Sequence, residues 1–287
     1  MEVYDRILKR LDDWQEKEGS LPEPVGFYRD LLRAQVEIAG EVPRARPRVT
    51  QAEIAAQIRQ GVPLIKWDAL PVDWSLFCDL FQRCSEVIAE HTDSNPRQLP
   101  DPSSEAPALK EAAKAWFEGQ PLEVWSSRLG IEENVLALNI HCALKPFLAI
   151  QSESLKDMVP QKQWRSGRCP ICGGTPDFAY LEKEVGARWL LCSRCDSEWL
   201  YQRLQCPYCG VDDQEKLAYY PDESEVYRLY VCNSCKSYLK AIDLRRTDSE
   251  VLMPLERLLT ADMDRQAEEY GYRPGWIDPQ PSGDRGS

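Results

Sequence analysis

The sequence predicts an α+β protein: an N-terminal all-α helical domain, then two tandem four-cysteine β-ribbon modules, then a C-terminal helix. Three observations carry this. Apolar residues recur at helical spacing through roughly the first 160 residues. Around Gly167 the texture changes to short β-favouring segments punctuated by Cys-x-x-Cys pairs. Those pairs fall into two matched halves, so the region is an internal repeat. The expected boundaries are 1–165 for the helical domain, 166–203 and 204–246 for the ribbons, 247–273 for the C-terminal helix and 274–287 for a flexible tail.

The helical domain opens with Val3, Ile7, Leu8, Leu11 and Trp14 at helical spacing. A second amphipathic run covers roughly 24–40. Thr50-Gln51-Ala52-Glu53 fits a capping box, in which the threonine hydroxyl and the glutamate carboxylate satisfy each other's backbone N–H; the short helix it opens stops near Gly61. Asp73 is the expected N-cap of a longer helix with Trp74, Phe77, Leu80, Phe81, Cys84, Val87 and Ile88 on its apolar side. The stretch 93–107, rich in Pro, Ser and Asp, reads as a loop. Helical patterns resume at 108–118 and from about 132 to 158. Pro146 has no N–H to donate and is expected to kink or restart the last of these. From 247 to 269 the chain is again helical, with Val251, Leu252, Leu255, Leu258, Leu259 and Met263 on one side. Pro, Gly and Ser after Arg273 predict a poorly ordered tail.

Composition narrows the class. A chain of 287 residues accommodates two domains and a sizeable core. The N-terminal MEVYDRILKRLDDW has charges every few residues and no apolar h-region, unlike a signal peptide. The most apolar stretch, NVLALNIHCALKPFLAI, is interrupted by His141, Lys145 and Pro146 and reads as too short to span a bilayer. A cytoplasmic location follows, where the reducing poise disfavours structural disulfides, so the eleven cysteines need another explanation. The formal net charge of −12 argues against a nucleic-acid backbone or an anionic lipid surface as the main partner.

Eight cysteines supply that explanation. They form the pairs Cys169/Cys172, Cys192/Cys195, Cys206/Cys209 and Cys232/Cys235, separated by 19, 10 and 22 residues. The long-short-long order divides them into CPICGG…RWLLCSRC and CPYCGV…RLYVCNSC. Both halves open with Cys-Pro-x-Cys-Gly, and both place an apolar triplet before the closing pair. Cys-x2-Cys followed about twenty residues later by Cys-x2-Cys is the spacing of a tetrahedral four-thiolate site. A two-residue spacer turns both sulfurs toward one ion. The glycine that follows permits positive φ, so nearby N–H groups can point at sulfur. A ribbon this small has little apolar area to bury, so metal binding becomes folding energy, on the order of 10 kcal/mol per site.

The expected ligand sets are therefore Cys169, Cys172, Cys192 and Cys195 in site 1, and Cys206, Cys209, Cys232 and Cys235 in site 2. A redox Cys-x-x-Cys normally occurs once, after a strand in a βαβ context, and four copies do not fit it. A cross-braced set joining Cys169/Cys172 to Cys206/Cys209 is less economical than two sequential sites. Spacing does not choose between iron and zinc, which both accept tetrahedral sulfur. Cys-Pro-x-Cys-Gly is the knuckle type of rubredoxins and of many zinc ribbons. Asp196 and Lys236 stand where a second glycine often follows the closing pair.

The other candidates read as structural. Cys78 and Cys84 are six apart, a poor match to one helix face, and Cys142 lies beside His141 in an apolar helix. All three fit as small buried hydrophobes. His91 is expected to contact the C-terminal carbonyls of its helix. Two histidines in the chain support no His-based metal site. Trp189, Trp199, Tyr201, Tyr208, Tyr219, Tyr220, Tyr227, Tyr230 and Tyr238 crowd the ribbons, as substitutes for a core or as a docking surface. Arg188, Arg194, Arg203 and Arg228 form a solvated face by default. Walker A, dinucleotide-binding and Gly-x-Ser-x-Gly motifs do not occur.

Taken in order, RCPICGGTP, the CSRC-x-x-EW segment, QCPYCG, CNSCKSYLK and the later EEYGYRP resemble the formate dehydrogenase accessory proteins of the FdhE family. The resemblance implies a cytoplasmic, non-enzymatic protein that binds the catalytic, molybdenum- or tungsten-containing subunit of formate dehydrogenase during maturation. It implies rubredoxin-type iron at the eight cysteines named above and transfers no catalytic residue. The partner calls are thus that catalytic subunit, with a homo-oligomer allowed, no nucleic acid and no membrane span. Two other readings stay open: a nucleic-acid-binding zinc-ribbon protein, which the acidic balance disfavours, and an iron redox protein assisting cofactor insertion.

Overall fold

The computed structural model describes residues 2–44, 50–92 and 104–276. Its helices are α1 (Glu2–Glu18), α2 (Glu23–Ala39), α3 (Gln51–Arg59), α4 (Trp74–His91), α5 (Ala106–Glu118), α6 (Glu123–Leu129), α7 (Glu133–Leu155), α8 (Met253–Leu259) and α9 (Ala261–Glu269). Its strands are β1 (Pro176–Leu181), β2 (Arg188–Cys192), β3 (Glu198–Tyr201), β4 (Leu217–Pro221), β5 (Tyr227–Cys232), β6 (Ser237–Asp243) and β7 (Arg273–Pro274). The chain divides into two compact units: Met1–Arg46 with Lys66–Gln151, and Pro47–Ile65 with Ser152–Ser287. Residues 93–103 of the expected loop, and 277–287 of the expected tail, lie outside the described residues.

The first unit is helical. Tyr4, Ile7 and Leu11 bury one side of α1. Asp73 caps α4 as expected, its Oδ1 accepting from Ser75 N (3.0 Å) and Leu76 N (3.1 Å). Phe77, Leu80, Phe81, Cys84 and Ile88 then line the buried face. Cys78 and Cys142 are buried as well. A hydrogen bond with Cys142, helped by burial, pushes the Cys84 thiol well above its usual range, so these two cysteines are neighbours in the core. His91 departs from expectation: its Nε2 meets Asp30 Oδ2 at 3.3 Å and its ring tilts against Phe27, because α2 packs alongside α4.

Helix α7 runs through Pro146 without restarting, one of the two outcomes expected of that proline. Proline at position 146 leaves the Cys142 carbonyl without its helical donor. Gln35 Nε2 from α2 supplies one instead, at 2.9 Å. The helix is also longer than its apolar core segment suggests. Glu133–Met158 is long and apolar enough to cross a membrane by length and composition, but 72% of its apolar window is buried within the protein. Leu136, Ile140, Ala143, Leu144, Phe147 and Leu148 have no solvent exposure, so α7 is a core helix of this unit.

In the second unit the two ribbons are fused. The strands form one sheet in the order β3-β2-β1-β6-β5-β4, with β7 added beside β6. Each repeat contributes an antiparallel three-stranded meander. The meanders meet where β1 pairs in parallel with β6, in the register Phe178↔Lys240 to Leu181↔Asp243. The expected pair of small, core-poor ribbons therefore becomes one larger sheet with a shared core. Phe178, Leu191 and Ile242 form one buried cluster, and Leu229, Val231, Tyr238, Met263 and Ala267 another. A fully buried side chain such as Phe178 contributes about 1.5–3 kcal/mol.

The predicted C-terminal helix is two helices that break at Thr260. Lys240, buried on β6, explains the break. Its Nζ donates to the carbonyls of Arg257 (2.7 Å) and Thr260 (3.3 Å) and to Asp264 Oδ2 (2.6 Å), competing for those carbonyls at the break. From α9 to Trp276 the chain stays packed on the sheet: β7 pairs with Ser237 and Tyr238, and the Trp276 ring packs edge-on against Tyr238.

Candidate metal centres

Each Cys-x-x-Cys forms a tight knuckle, and each knuckle closes in the same way. The N–H four residues after the first cysteine donates to that cysteine's carbonyl: Gly173 to Cys169 (3.0 Å), Asp196 to Cys192 (3.3 Å), Gly210 to Cys206 (3.0 Å) and Lys236 to Cys232 (2.8 Å). All four donors have positive φ, between 54° and 75°. Glycine takes this conformation freely, whereas Asp196 and Lys236 adopt it against their side chains' preference. Within the first pair of knuckles, Ile171 N, Gly174 N and Arg194 N point at the sulfurs of Cys169, Cys172 and Cys192, each at 3.4 Å.

The sheet brings the knuckles together in two sequential sets, not in the cross-braced arrangement. Cys169, Cys172, Cys192 and Cys195 form one group, and Cys206, Cys209, Cys232 and Cys235 the other. Within each set all four sulfurs lie within 4.8 Å of one another. The shortest separations are Cys172–Cys192 at 3.4 Å in the first, and Cys206–Cys235 and Cys209–Cys232 at 3.7 Å in the second. A disulfide needs about 2.0 Å. A tetrahedron of sulfurs about 2.3 Å from a central ion has edges of about 3.8 Å. The donor set and the geometry thus fit one tetrahedral ion per cluster, iron or zinc.

Within each cluster the thiols perturb one another's ionisation. In the first set, burial and then hydrogen bonds from neighbouring thiols push Cys169 well above its usual range. Cys195 moves oppositely: burial opposes ionisation, but bonds from Cys169, Cys172, Cys192 and Ser197 hold it well below. The second set repeats the pattern, with Cys206 raised by its bonds to Cys232 and Cys235, and Cys235 lowered by its bonds to Cys206 and Cys232. Four thiolates in one cluster require a bound positive ion.

Several supporting residues were not singled out from the sequence. Ser197 Oγ lies 2.9 Å from Cys195 Sγ, and the Ser237 hydroxyl hydrogen-bonds Cys235 in the same way. The signal was present as Cys-x-Ser in both repeats. Arg257 of α8 binds the first closing knuckle, with Nη2 on Asp196 Oδ1 at 2.7 Å and Nη1 on Asp177 Oδ2 at 3.2 Å. The segment after α3 lies along the first opening knuckle: Leu64 N and Ile65 N donate to the carbonyls of Pro170 and Ile171 at 2.9 and 2.8 Å.

The arginines divide. Arg188 and Arg228 are buried, not on a solvated face. Arg188 Nη2 donates to the carbonyls of Gln202 and Gln205, and Arg228 pairs with fully buried Asp243 at 2.5 Å. Arg203 is exposed. Among the aromatics, Trp199 and Tyr238 are core residues, whereas Tyr219 and Tyr220 are exposed on edge strand β4.

Residues 168–203, which hold the first cluster, match the family profile described as FdhE, central domain. Over 274 residues the chain is 26% identical to a protein FdhE homolog of Aquifex aeolicus, covering 92% of this chain and 90% of the relative. It is 31% identical over 113 residues to a homolog from Haemophilus influenzae, covering 39% of this chain and 37% of the relative. A homolog from Pseudomonas aeruginosa is 34% identical over 114 residues, covering 36% of each chain. These last two matches span little more than a third of the relatives' own length. Among solved structures, the crystal structure of the FdhE protein from Pseudomonas aeruginosa aligns with a TM-score of 0.62, over 98% of this chain and 94% of that one, at 21% identity, a likeness of fold.

Proposed function

We propose, from the premise that the chain belongs to the FdhE family, that this formate dehydrogenase accessory protein works by binding the immature molybdenum- or tungsten-containing catalytic subunit in the cytoplasm. The observation that carries the reading is the pair of complete four-cysteine clusters on one continuous sheet, within and directly after the segment that matches the family's central domain. In this reading the eight cysteines hold two ions, iron or zinc. Each ion cross-links two knuckles and converts binding energy into folding energy. No residue is assigned a catalytic role. The chain's part is to bind a protein partner, with a net charge of −12 that suits a protein more than nucleic acid.

The test uses the full-length, metal-loaded protein as bait in extract from cells making formate dehydrogenase. Enrichment of the catalytic subunit over an unrelated acidic control supports the reading, and equal recovery on both baits overturns it. The metal is settled separately, by elemental analysis and an absorption spectrum of protein purified without oxygen. A red protein that bleaches on reduction carries iron; a colourless one with two zinc per chain carries zinc.

A further inference from the structure

The two clusters share one plan but differ in their surroundings. In the first, no cysteine is more than 3% exposed. Chain segments cover it: Leu64 and Ile65 bond to its opening knuckle, Pro63 packs so close to Gly173 that an added Cβ would lie 3.1 Å away, and Ser152 hydrogen-bonds Ser197 beside Cys195. In the second, Cys206 and Cys232 are buried, but Cys209 is exposed and Cys235 is half-buried. Tyr208 turns inward to donate to the Pro176 carbonyl at 3.0 Å, while its neighbour Cys209, its sulfur still among the four, keeps an exposed position. On the inner side, a cavity of about 30 Å³ touches Cys206, Cys232, Arg188 and Tyr230.

This difference has a kinetic consequence. A metal–thiolate site loses its ion stepwise: one thiolate takes a proton or leaves, and an incoming ligand occupies the vacated position. A surface thiolate can do this while the fold stays intact. A fully buried one first needs local unfolding.

We propose that the second cluster is an exchangeable centre that loads and releases its ion through the Cys209 side, while the first is a permanent clamp. Its incoming ligand class is a soft divalent ion, or the thiolate- or nitrogen-bearing chelator that removes it. The proposal stands apart from formate dehydrogenase binding, and its test involves no partner protein.

Protein loaded with two equivalents of zinc is mixed with excess 4-(2-pyridylazo)resorcinol and zinc release is followed by absorbance. Two phases of equal amplitude, at least tenfold apart in rate, are expected. Cys209→Ser should abolish the fast phase and leave one ion departing at the slow rate. In parallel, the unmodified zinc-loaded protein is pulsed with iodoacetamide and mapped by mass spectrometry. Cys209 and Cys235 should be alkylated at least tenfold faster than Cys169, Cys172, Cys192 and Cys195. A single release phase for both ions, a fast phase that survives Cys209→Ser, or equal labelling of the two clusters overturns the proposal.

Discussion

The side-chain amide of Gln35 donates to the Cys142 carbonyl, the one acceptor in α7 that Pro146 leaves without a helical donor. Both partners are buried, so the bond replaces a lost main-chain contact where water does not reach. Gln35→Leu should therefore cost about 1–3 kcal/mol in denaturant unfolding, the penalty for an unpaired buried carbonyl. Pro146→Ala restores an N–H at that position, so the same Gln35 change should cost less than half as much in that background. An equal cost in both backgrounds would show that the bond does not serve this purpose.

Asp196 and Lys236 occupy equivalent left-handed positions, but only Asp196 has a largely buried ion-pair partner, Arg257. Glycine relieves the backbone at either site. Lys236→Gly should raise the midpoint of thermal unfolding, by about 1 kcal/mol of stability. Asp196→Gly should lower it, because losing the shorter of the two carboxylate contacts of the largely buried Arg257 costs more than the backbone gains. Opposite signs at matched positions are the discriminating result.

Asp243 is fully buried between Arg245 and Arg228. The Arg245 hydrogen bond, with both guanidinium charges, holds its carboxyl below the ordinary value of 3.8. A folded pKa below the unfolded one gives stability that is complete above about pH 5 and is lost as pH falls through and below 3.8. Asp243→Asn should cost on the order of 3 kcal/mol at pH 7. The gap between the two proteins should narrow steadily below pH 4, read from urea unfolding at each pH.

Removing one ligand from either cluster tests the metal count. Cys172→Ser and Cys232→Ser should each reduce bound metal from two ions to one by elemental analysis. A strong chelator applied in urea should remove both ions from the parent protein and erase its β-sheet circular dichroism, because about 10 kcal/mol of folding energy leaves with each.

The clusters were legible because their signal is local. Spacing within Cys-x-x-Cys, the repeat itself and the Thr50–Glu53 capping box depend on residues a few positions apart, and the structure realises that box with Glu53 N on Thr50 Oγ1 at 3.3 Å. What escaped notice depends on distant partners. Nothing near Phe178 announces its register with Lys240, sixty residues on, and that pairing turns two ribbons into one sheet. Pro146 looked like a helix breaker because its remedy, Gln35, lies more than a hundred residues upstream. Thr260 gave no breaking signal either, because the lysine that pulls on its carbonyl belongs to a strand. Ser197 and Ser237 are readable from the aligned repeats as Cys-x-Ser, but serine is not a metal ligand, so the spacing argument does not reach them.

The joint between the repeats is head to tail. The first strand of one repeat pairs with the last strand of the other, and both repeats run the same way. The outer edges, β3 and β4, are thus the same two kinds of strand as the joined pair, and such an arrangement could in principle grow into an endless fibre. The chain blocks growth at each margin. On β3, only four residues long, Leu200 N is already capped by Gln161 Oε1 at 3.1 Å; β4 ends in Pro221, which has no N–H to offer a newcomer.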